Sequence, residues 1–438
     1  MHKSPLFVAV LITMIVGARL VAAQTPEDVE PGVWAKVEAQ LQAQGVNLLS
    51  KAGRDVPVEV AKLLPTPDLV GEDSYFGRAV ALDDDTMVVG AYDSYDDYDY
   101  PGGTAFIFQR EQGGPDAWGL VARLTSSVGP ADDRFGCAVS ISGDTVVVGA
   151  YHDDDDGINS GSAYIFGRNQ GGADAWQQVA KLTASDGGTI DHFGYSVSIS
   201  CDIVTVGSPG DNGSSGSAYI FGRDQGGTNT WGQVAKLMAS DGASYDHFGY
   251  SVSISNDTVA VGAYRNRGTA AYGSGSAYIF GRNQGGTDAW GQIVKLTASD
   301  GASNDEFGKA VAISVDLVVV GAPEDDDNGT DSGSAYIFGR NHGGANAWGQ
   351  MVKITAFDGA TEDQFGLSLS ISGDTVVVGA YQDNDNGYHS GSAYIFDRDH
   401  GGTDVWGQAA KITASDGETE DQFGLSLSIS GDTVVVGA

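Results

Sequence analysis

Ser274-Gly275-Ser276-Ala277-Tyr278-Ile279-Phe280-Gly281-Arg282 decides the fold of this chain. The same nine residues stand at Ser160–Arg168, Ser215–Arg223 and Ser332–Arg340. They return with Asp397 replacing a glycine at Ser390–Arg398, and a looser copy, Gly103–Arg110, comes first. One string recurring at this period means an array of like units rather than a single globular core.

Working outward, Phe-Gly pairs stand at Phe76, Phe135, Phe193, Phe248, Phe307, Phe365 and Phe423, 55 to 59 residues apart. Trp118, Trp176, Trp231, Trp290, Trp348 and Trp406 keep the same register. Each unit carries four strand signals. Strand A alternates, as in Phe193–Ser200, placing Phe193, Tyr195, Val197 and Ile199 on one face. Strand B, such as Asp144–Ala150, is a short apolar run of the kind buried on both faces. A tight turn such as Gly143-Asp144 joins A to B. Strand C is the opening string. Strand D, such as Trp231–Leu237, follows a Gly-Gly loop.

Four antiparallel strands per unit and seven units predict an all-β, seven-bladed β-propeller over residues 56–438. Strand D carries a basic residue at one fixed place: Lys62, Arg123, Lys181, Lys236, Lys295, Lys353 and Lys411. On an outermost strand such residues read as protection against edge-to-edge pairing. The sequence stops at Ala438 after strand B of the seventh unit, so the last blade is expected to be incomplete, lacking strand C, with Val56–Leu64 as a possible latch. A truncated sequence accounts for this better than a three-stranded blade does.

Before the array, residues 1–23 read as a secretory signal: Lys3, the apolar run Leu6–Gly17, then Val21-Ala22-Ala23. Residues 24–55 form a separate N-terminal segment in which Trp34, Val37 and Leu41 predict a short helix. The expectation is a secreted or cell-surface protein, monomeric, with no transmembrane span. A net charge of −35 argues against nucleic-acid partners, because phosphate backbones demand a basic face.

Phe-Gly opening one strand and Gly-Ala or Gly321-Ala322-Pro323 closing the next resemble the FG-GAP repeat of integrin alpha-chain propellers and many microbial secreted proteins. The resemblance spans about Val56 to Ala438 and includes the variant Lys-Leu-Thr-Ala-Ser-Asp-Gly…Asp-x-Phe-Gly, as at Lys295–Gly308. It implies a seven-bladed, often extracellular, adhesive or ligand-binding propeller that often carries calcium. One departure matters. The integrin calcium loop lies between strands A and B, where this chain has only Ser142–Thr145, too short to supply six to eight oxygens.

Antiparallel order puts A–B and C–D loops on one rim, B–C and D–A loops on the other. Acids gather on the second rim: Asp93–Asp99, Asp153–Asp156, Glu324–Asp327, then Asp186, Asp191, Asp241, Asp246 and their repeats. Asp153-x-Asp155, Asp325-x-Asp327 and Asp383-x-Asp385, each followed by glycine, have the spacing of a hard-cation loop, so calcium is the candidate cofactor and these six aspartates the candidate ligands. The plainer reading is solvated acidic loops. Blade four departs: Arg265 and Arg267 replace acids beside Tyr264 and Tyr272, a candidate recognition patch.

The histidines are scattered and no nucleophile motif emerges, so no catalysis is expected. The function that follows is extracellular binding of a protein or glycan. The rivals are a secreted enzyme or carbohydrate-binding module using rim carboxylates, and a purely structural surface protein. Cys137 and Cys201 lie at opposite ends of the strand direction and are expected to be free thiols. Asn212, Asn256 and Asn328 begin glycosylation sequons.

Overall fold

The computed structural model describes residues 9–13, 57–63, 74–94, 102–112, 114, 117–127, 132–170, 172, 174–225, 227–267, 272–345 and 347–438. The helix expected around Trp34–Leu41 lies outside the described residues, as does most of the expected signal.

Six four-stranded sheets are each built from four consecutive antiparallel strands. Blade three is representative: strand A Ser196–Ser200, B Ile203–Ser208, C Ser217–Gly222 and D Gly232–Leu237. Strands B and C are almost wholly buried, while D is half-buried with its last leucine or isoleucine inside. Consecutive A strands touch one another all the way round, including that of blade seven against that of blade one, so they line the axis of a closed ring.

Each hydrophobic cluster spans two blades. Ala218, Ile220 and Leu237 of blade three pack with Phe248, Val252, Val259 and Phe280 of blade four. The repeat's Phe sits edge-on against its own strand C, Phe248 to Tyr278 at 5.5 Å and to Phe280 at 5.8 Å. The glycines act at the same seam. A Cβ on Gly149 of strand B would lie 2.0 Å from the Gly194 carbonyl oxygen of the next blade. Both halves of the motif are thus one backbone-to-backbone contact between neighbours. Gly437 makes it with Gly77, at the same 2.0 Å, where blade seven meets blade one.

The serines of strand A have a structural use too. The amides of Ile199, Ile254, Ile313, Ile429 and Leu82 donate to Ser140, Ser198, Ser253, Ser370 and Ser428 of the preceding blade. Where the repeat has Ala81 and Ala312 instead, there is no such acceptor.

The seventh sheet corrects the expectation of an incomplete blade. Its repeat is partial, yet the sheet has four strands: Ser426–Ser430, Thr433–Gly437, Ala9–Thr13 and Val58–Leu63. Val58–Leu63 takes the outer position as a latch, and Ala9–Thr13, from the run read as a signal, takes the place of strand C. Ala9 pairs with Gly437 and Leu63 as Ala393 pairs with Gly379 and Ile412. The register shift against strand D falls at the equivalent residue, after Leu11 as after Ile395. Ala9–Thr13 is largely apolar, a pattern that the core of a leader and a C strand share.

Strand A also begins later than its alternation suggests. In blades two to seven the Phe-Gly-x segment is a turn, closed in blade three by the Tyr195 amide donating to the His192 carbonyl at 3.2 Å. Gly194 has φ +89°, a left-handed conformation open to glycine. Tyr195 therefore does not share the face of Phe193, and the third residue of the motif is delivered to the rim around the axis.

Candidate functional site: the acidic rim

The strand-D lysines are not edge guards. Their stems run along the blade and their ammonium groups reach the B–C loop carboxylates. Asp153, only 2% exposed, accepts from the Tyr164 hydroxyl at 2.7 Å and from Lys181 Nζ at 2.8 Å, and Lys181 also contacts Asp155. Asp325 accepts from Tyr336 and Lys353, both at 2.9 Å, and from Ser334 at 3.0 Å; Lys353 also reaches Asp327 at 2.5 Å and Asp300 at 2.9 Å. Asp383 accepts from Tyr394 at 2.7 Å and Lys411 at 2.8 Å, with Asp385 and Asp358 on the same ammonium at 2.6 and 2.8 Å.

Blade three repeats the cluster with Lys236, Tyr219, Asp211 and Asp186. In blade four Asn266 stands where the aspartate would be, and Lys295 binds it at 2.8 Å and Asp241 at 2.5 Å. Burial alone would weaken the Lys353 and Lys411 ammonium groups, but hydrogen bonding to these carboxylates outweighs it and raises both pKa values. Burial likewise opposes ionisation of Asp383, yet Lys411, the Asp385 amide and Tyr394 hold its pKa below the usual carboxylate range.

Each candidate metal pair therefore converges, but on an ammonium group. Their oxygens face lysine, tyrosine and loop amides, and a calcium ion would have to displace the lysine to assemble its shell. The donor set does not fit calcium as arranged. Among the described residues no group of three or more acidic, His or Cys side chains is grouped to hold a metal.

A second set of rim acids closes its own loops. The Asp of Asp-x-Phe-Gly accepts a backbone amide three residues earlier: Asp191 from Gly188 at 2.6 Å, Asp305 from Ala302 at 2.6 Å, Asp363 from Ala360 at 2.7 Å. Burial raises the Asp363 pKa to about 6. Asp133, at the same position of blade two, is raised to about 7 by burial and then by the charge of Asp153.

Around the axis on this rim the repeat breaks down. The residue after Phe-Gly is Arg78, Cys137, Tyr195, Tyr250, Lys309, Leu367 or Leu425, blade by blade. Three of the histidines read as scattered, His152, His192 and His247, meet here. Tyr151 lies 5.7 Å from His192 and 5.3 Å from Tyr195, and His152 is 6.0 Å from His192. Tyr195 continues to Tyr250 at 4.8 Å, Tyr250 to Tyr264 at 4.4 Å, and Tyr264 stacks on His247 at 5.5 Å.

Blade one adds Tyr75 stacked on Tyr92 at 4.9 Å. Three cations lie over these rings: Arg134 over Tyr92 at 5.1 Å, Lys309 over Tyr264 at 4.0 Å and Tyr250 at 4.9 Å, and Arg265 over Tyr264 at 5.4 Å. The first two are also paired, Arg134 with Asp132 at 3.0 Å and Lys309 with Glu306 at 2.7 Å. Burial lowers the pKa of His152, His192 and His247, so the three imidazoles are neutral at pH 7. Blades six and seven present Leu367, Leu425, Gln364 and Gln422 instead.

Blade four behaves partly as its sequence suggested. Tyr264 joins the arc, under Arg265 at 5.4 Å, whereas Tyr272 and Arg267 form an exposed pair outside it. Ile158, Ile190, Tyr245 and Tyr388 are further exposed apolar side chains on this rim. On the opposite rim the arginines of strand C pair locally, Arg168 with Asp174 at 2.6 Å and Arg398 with Asp404 at 3.0 Å. A shallow hollow of about 210 Å³ lies there between Arg282 and Arg340. Cys137 and Cys201 are free thiols; burial pushes Cys137 up to about 12, while Cys201 is exposed. Asn212, Asn256 and Asn328 are all exposed.

The sequence model of the FG-GAP repeat matches residues 57–108, 118–166, 176–221, 231–280, 290–338, 348–396 and 406–438. No curated protein matches the chain. Among solved structures, the crystal structure of Sqt1 from Chaetomium thermophilum is similar at 14% identity and a TM-score of 0.45, over 82% of this chain and 76% of that one. At that level the likeness carries no functional argument.

Proposed function

The chain belongs to the FG-GAP repeat family, and on that premise we propose that it is a non-catalytic binding protein, working outside the cell or at its surface, whose ligand is received on the acidic rim around the propeller axis. One observation carries the reading. Strands B and C repeat almost letter for letter, yet the residue after Phe-Gly differs in most blades, and two of these residues, Tyr195 and Tyr250, join Tyr151 and Tyr264 in one aromatic arc at this mouth. Tyr151, Tyr195 and Tyr250 are half-buried on a rigid ring, the kind of side chain that gives contact area at low entropic cost, while Tyr264 is buried behind them.

The rim carboxylates support binding over catalysis, because they are occupied by lysine, tyrosine and loop amides rather than arranged around a vacant reacting centre. We give calcium no part in the B–C loops, for the same reason. The exposed sequons suit an extracellular setting, with glycans at Asn212, Asn256 and Asn328 if the host attaches them.

The test is retention of the fluorescently labelled full chain on intact bacterial, fungal and animal cell surfaces. Tyr151→Leu and Tyr250→Leu should lower retention at least tenfold, and Val315→Ser on the other rim should leave it unchanged. Equal retention of all three, or retention no greater than that of a labelled inert protein, refutes the reading and favours a purely structural role.

A further inference from the structure

We infer that the hollow between blades four and five, on the rim opposite the acidic one, is a subsite for a free amino acid with an apolar side chain. It is separate from the ligand surface proposed above and takes a different class of ligand.

The repeat is broken at this hollow in two places at once. The first is Arg340. Every other described strand-C arginine makes a side-chain hydrogen bond: Arg110 to Thr433 at 2.8 Å, Arg168 to Asp174 at 2.6 Å, Arg223 to Thr145 at 2.7 Å, and Arg282 and Arg398 to Asp288 and Asp374 at 3.2 Å. Among the described residues Arg340 has only an ion pair with Asp316, at 3.5 Å. The sequence places Asn346 where Asp174, Asp288 and Asp404 follow the other arginines. The second break is Val315, in the A–B turn. Its φ is +51° and it is 61% exposed. The same left-handed position holds Asp84, Gly143, Cys201, Asn256, Gly373 or Gly431 in the other blades. A β-branched residue is the least suited to that conformation, and an exposed one gains nothing from packing in return.

Both breaks line the same hollow of about 210 Å³, together with Ile293, Asp257 and Arg282. That volume exceeds the roughly 150 Å³ of a cavity that holds benzene. Asp257 is loosely held too: it meets Arg282 at 3.4 Å, while Asp288 lies on the same guanidinium at 2.9 Å. The hollow thus presents a guanidinium fork short of acceptors, a carboxylate short of donors, and the apolar surface of Val315 and Ile293.

Charge selects the ligand class. A simple anion would meet Asp257, Asp288 and Asp316 and the field of a chain carrying −35. A simple cation would leave Arg340 as it is. A zwitterion meets no net field and satisfies both groups, its carboxylate on the planar fork of Arg340 and its ammonium on Asp257. An α-amino acid has that pair of groups, and an apolar side chain on it would cover Val315 and Ile293.

The experiment is calorimetry of L-leucine and L-phenylalanine on the full chain made in bacteria, which leaves Asn256, at the edge of the hollow, without a glycan. At least one of the two is expected to bind. Leucinamide, which lacks the carboxylate, and N-acetylleucine, which lacks the ammonium, should each bind at least tenfold more weakly. Arg340→Gln should weaken the binding of leucine by the same factor, and Arg168→Gln, at the equivalent position of blade two, should leave it unchanged. Val315→Gly restores the residue of blades two, six and seven. It should melt no lower than wild type, because glycine takes a positive φ freely, yet bind several-fold more weakly. If Arg340→Gln does not fold, Arg340→Lys, which keeps the charge and loses the fork, is read in its place. No heat from either amino acid at millimolar concentration overturns the proposal, as does binding that survives both the Arg340 and the Val315 changes. Leucinamide or N-acetylleucine binding as well as leucine overturns the zwitterion assignment.

Discussion

Lysine as a resident cation makes a sharp prediction at Lys353. Its ammonium group holds Asp325, which is 3% exposed, together with Asp300 and Asp327, which are about half exposed. Replacing it by Met keeps the apolar stem and strands three carboxylates. Removing one partner of a buried pair costs about 3–5 kcal/mol. Two of the three acids are partly solvated and contribute little, so about 3 kcal/mol is expected, nearly all of it from Asp325.

An unfolding entropy of about 2.1 cal/mol/K per residue over roughly 380 residues gives ~0.8 kcal/mol/K, hence a Tm lower by about 4 °C. The assay is differential scanning calorimetry of Lys353→Met with and without calcium, against magnesium at equal ionic strength. The vacated carboxylates should now respond to calcium, which returns up to about 2.7 kcal/mol at a hundredfold excess over Kd. Wild type should not respond. If Lys353→Met melts with wild type, or if wild type gains as much from calcium as the variant does, the lysine assignment is wrong.

Asp133 should make stability pH-dependent. Its carboxyl keeps its proton to about pH 7 in the folded chain and sheds it near pH 4 when unfolded, so its contribution is present below pH 4 and is lost as pH rises from 4 to 7; Asp133→Asn should raise the Tm most at pH 8, less at about pH 5, and leave it unchanged below pH 4. Gly149→Ala should prevent ring assembly, read as loss of soluble folded protein, since the new Cβ would meet backbone at 2.0 Å. Ser253→Ala should cost about 1 kcal/mol by removing the acceptor of the Ile313 amide, measured by chemical denaturation. Leu11→Pro, in the full chain, removes an amide from the seventh sheet's ladder and should lower the Tm; an unchanged Tm would mean that Ala9–Thr13 does not complete that blade.

The blades were legible because their chemistry is local and repeated. Strand B is apolar at both faces, strand C carries one string, and the Phe-Gly and Gly-Ala pairs mark the seams between blades. The site was legible only in part. Spacing brought Asp153 and Asp155 together correctly, but a spacing rule cannot see Lys181, whose side chain arrives from strand D some 26 residues on. Reading that lysine as an edge guard missed it for the same reason: the edge is a backbone property, and the ammonium lies a long stem away from it. The aromatic arc was hidden by treating Phe193-Gly194-Tyr195 as strand, which puts Tyr195 on the wrong side. The usable signal was present, since the residue after Phe-Gly is the one place in a near-invariant string where Arg, Cys, Tyr, Lys and Leu all occur.

A ring of like blades confines variation for a physical reason. Every buried residue touches the next blade through the same contact, as Gly149 touches Gly194 and Gly437 touches Gly77. A change that suits one seam is unsuited to its neighbours unless their partners change with it, so the seam residues are held alike. The loop acids are constrained in another way, each bound to a lysine, a tyrosine or its own turn. What remains unconstrained by the repeat is the set of side chains delivered to the axis by the Phe-Gly turn, together with the exposed loop tips Ile158, Tyr272 and Tyr388. Of these two groups only the first forms a connected surface on rigid backbone, with neighbours fixed on both sides. A ligand that binds there therefore reads several blades at once, and substitutions at Tyr195 and Tyr250, delivered by the Phe-Gly turns of neighbouring blades, should weaken the same ligand.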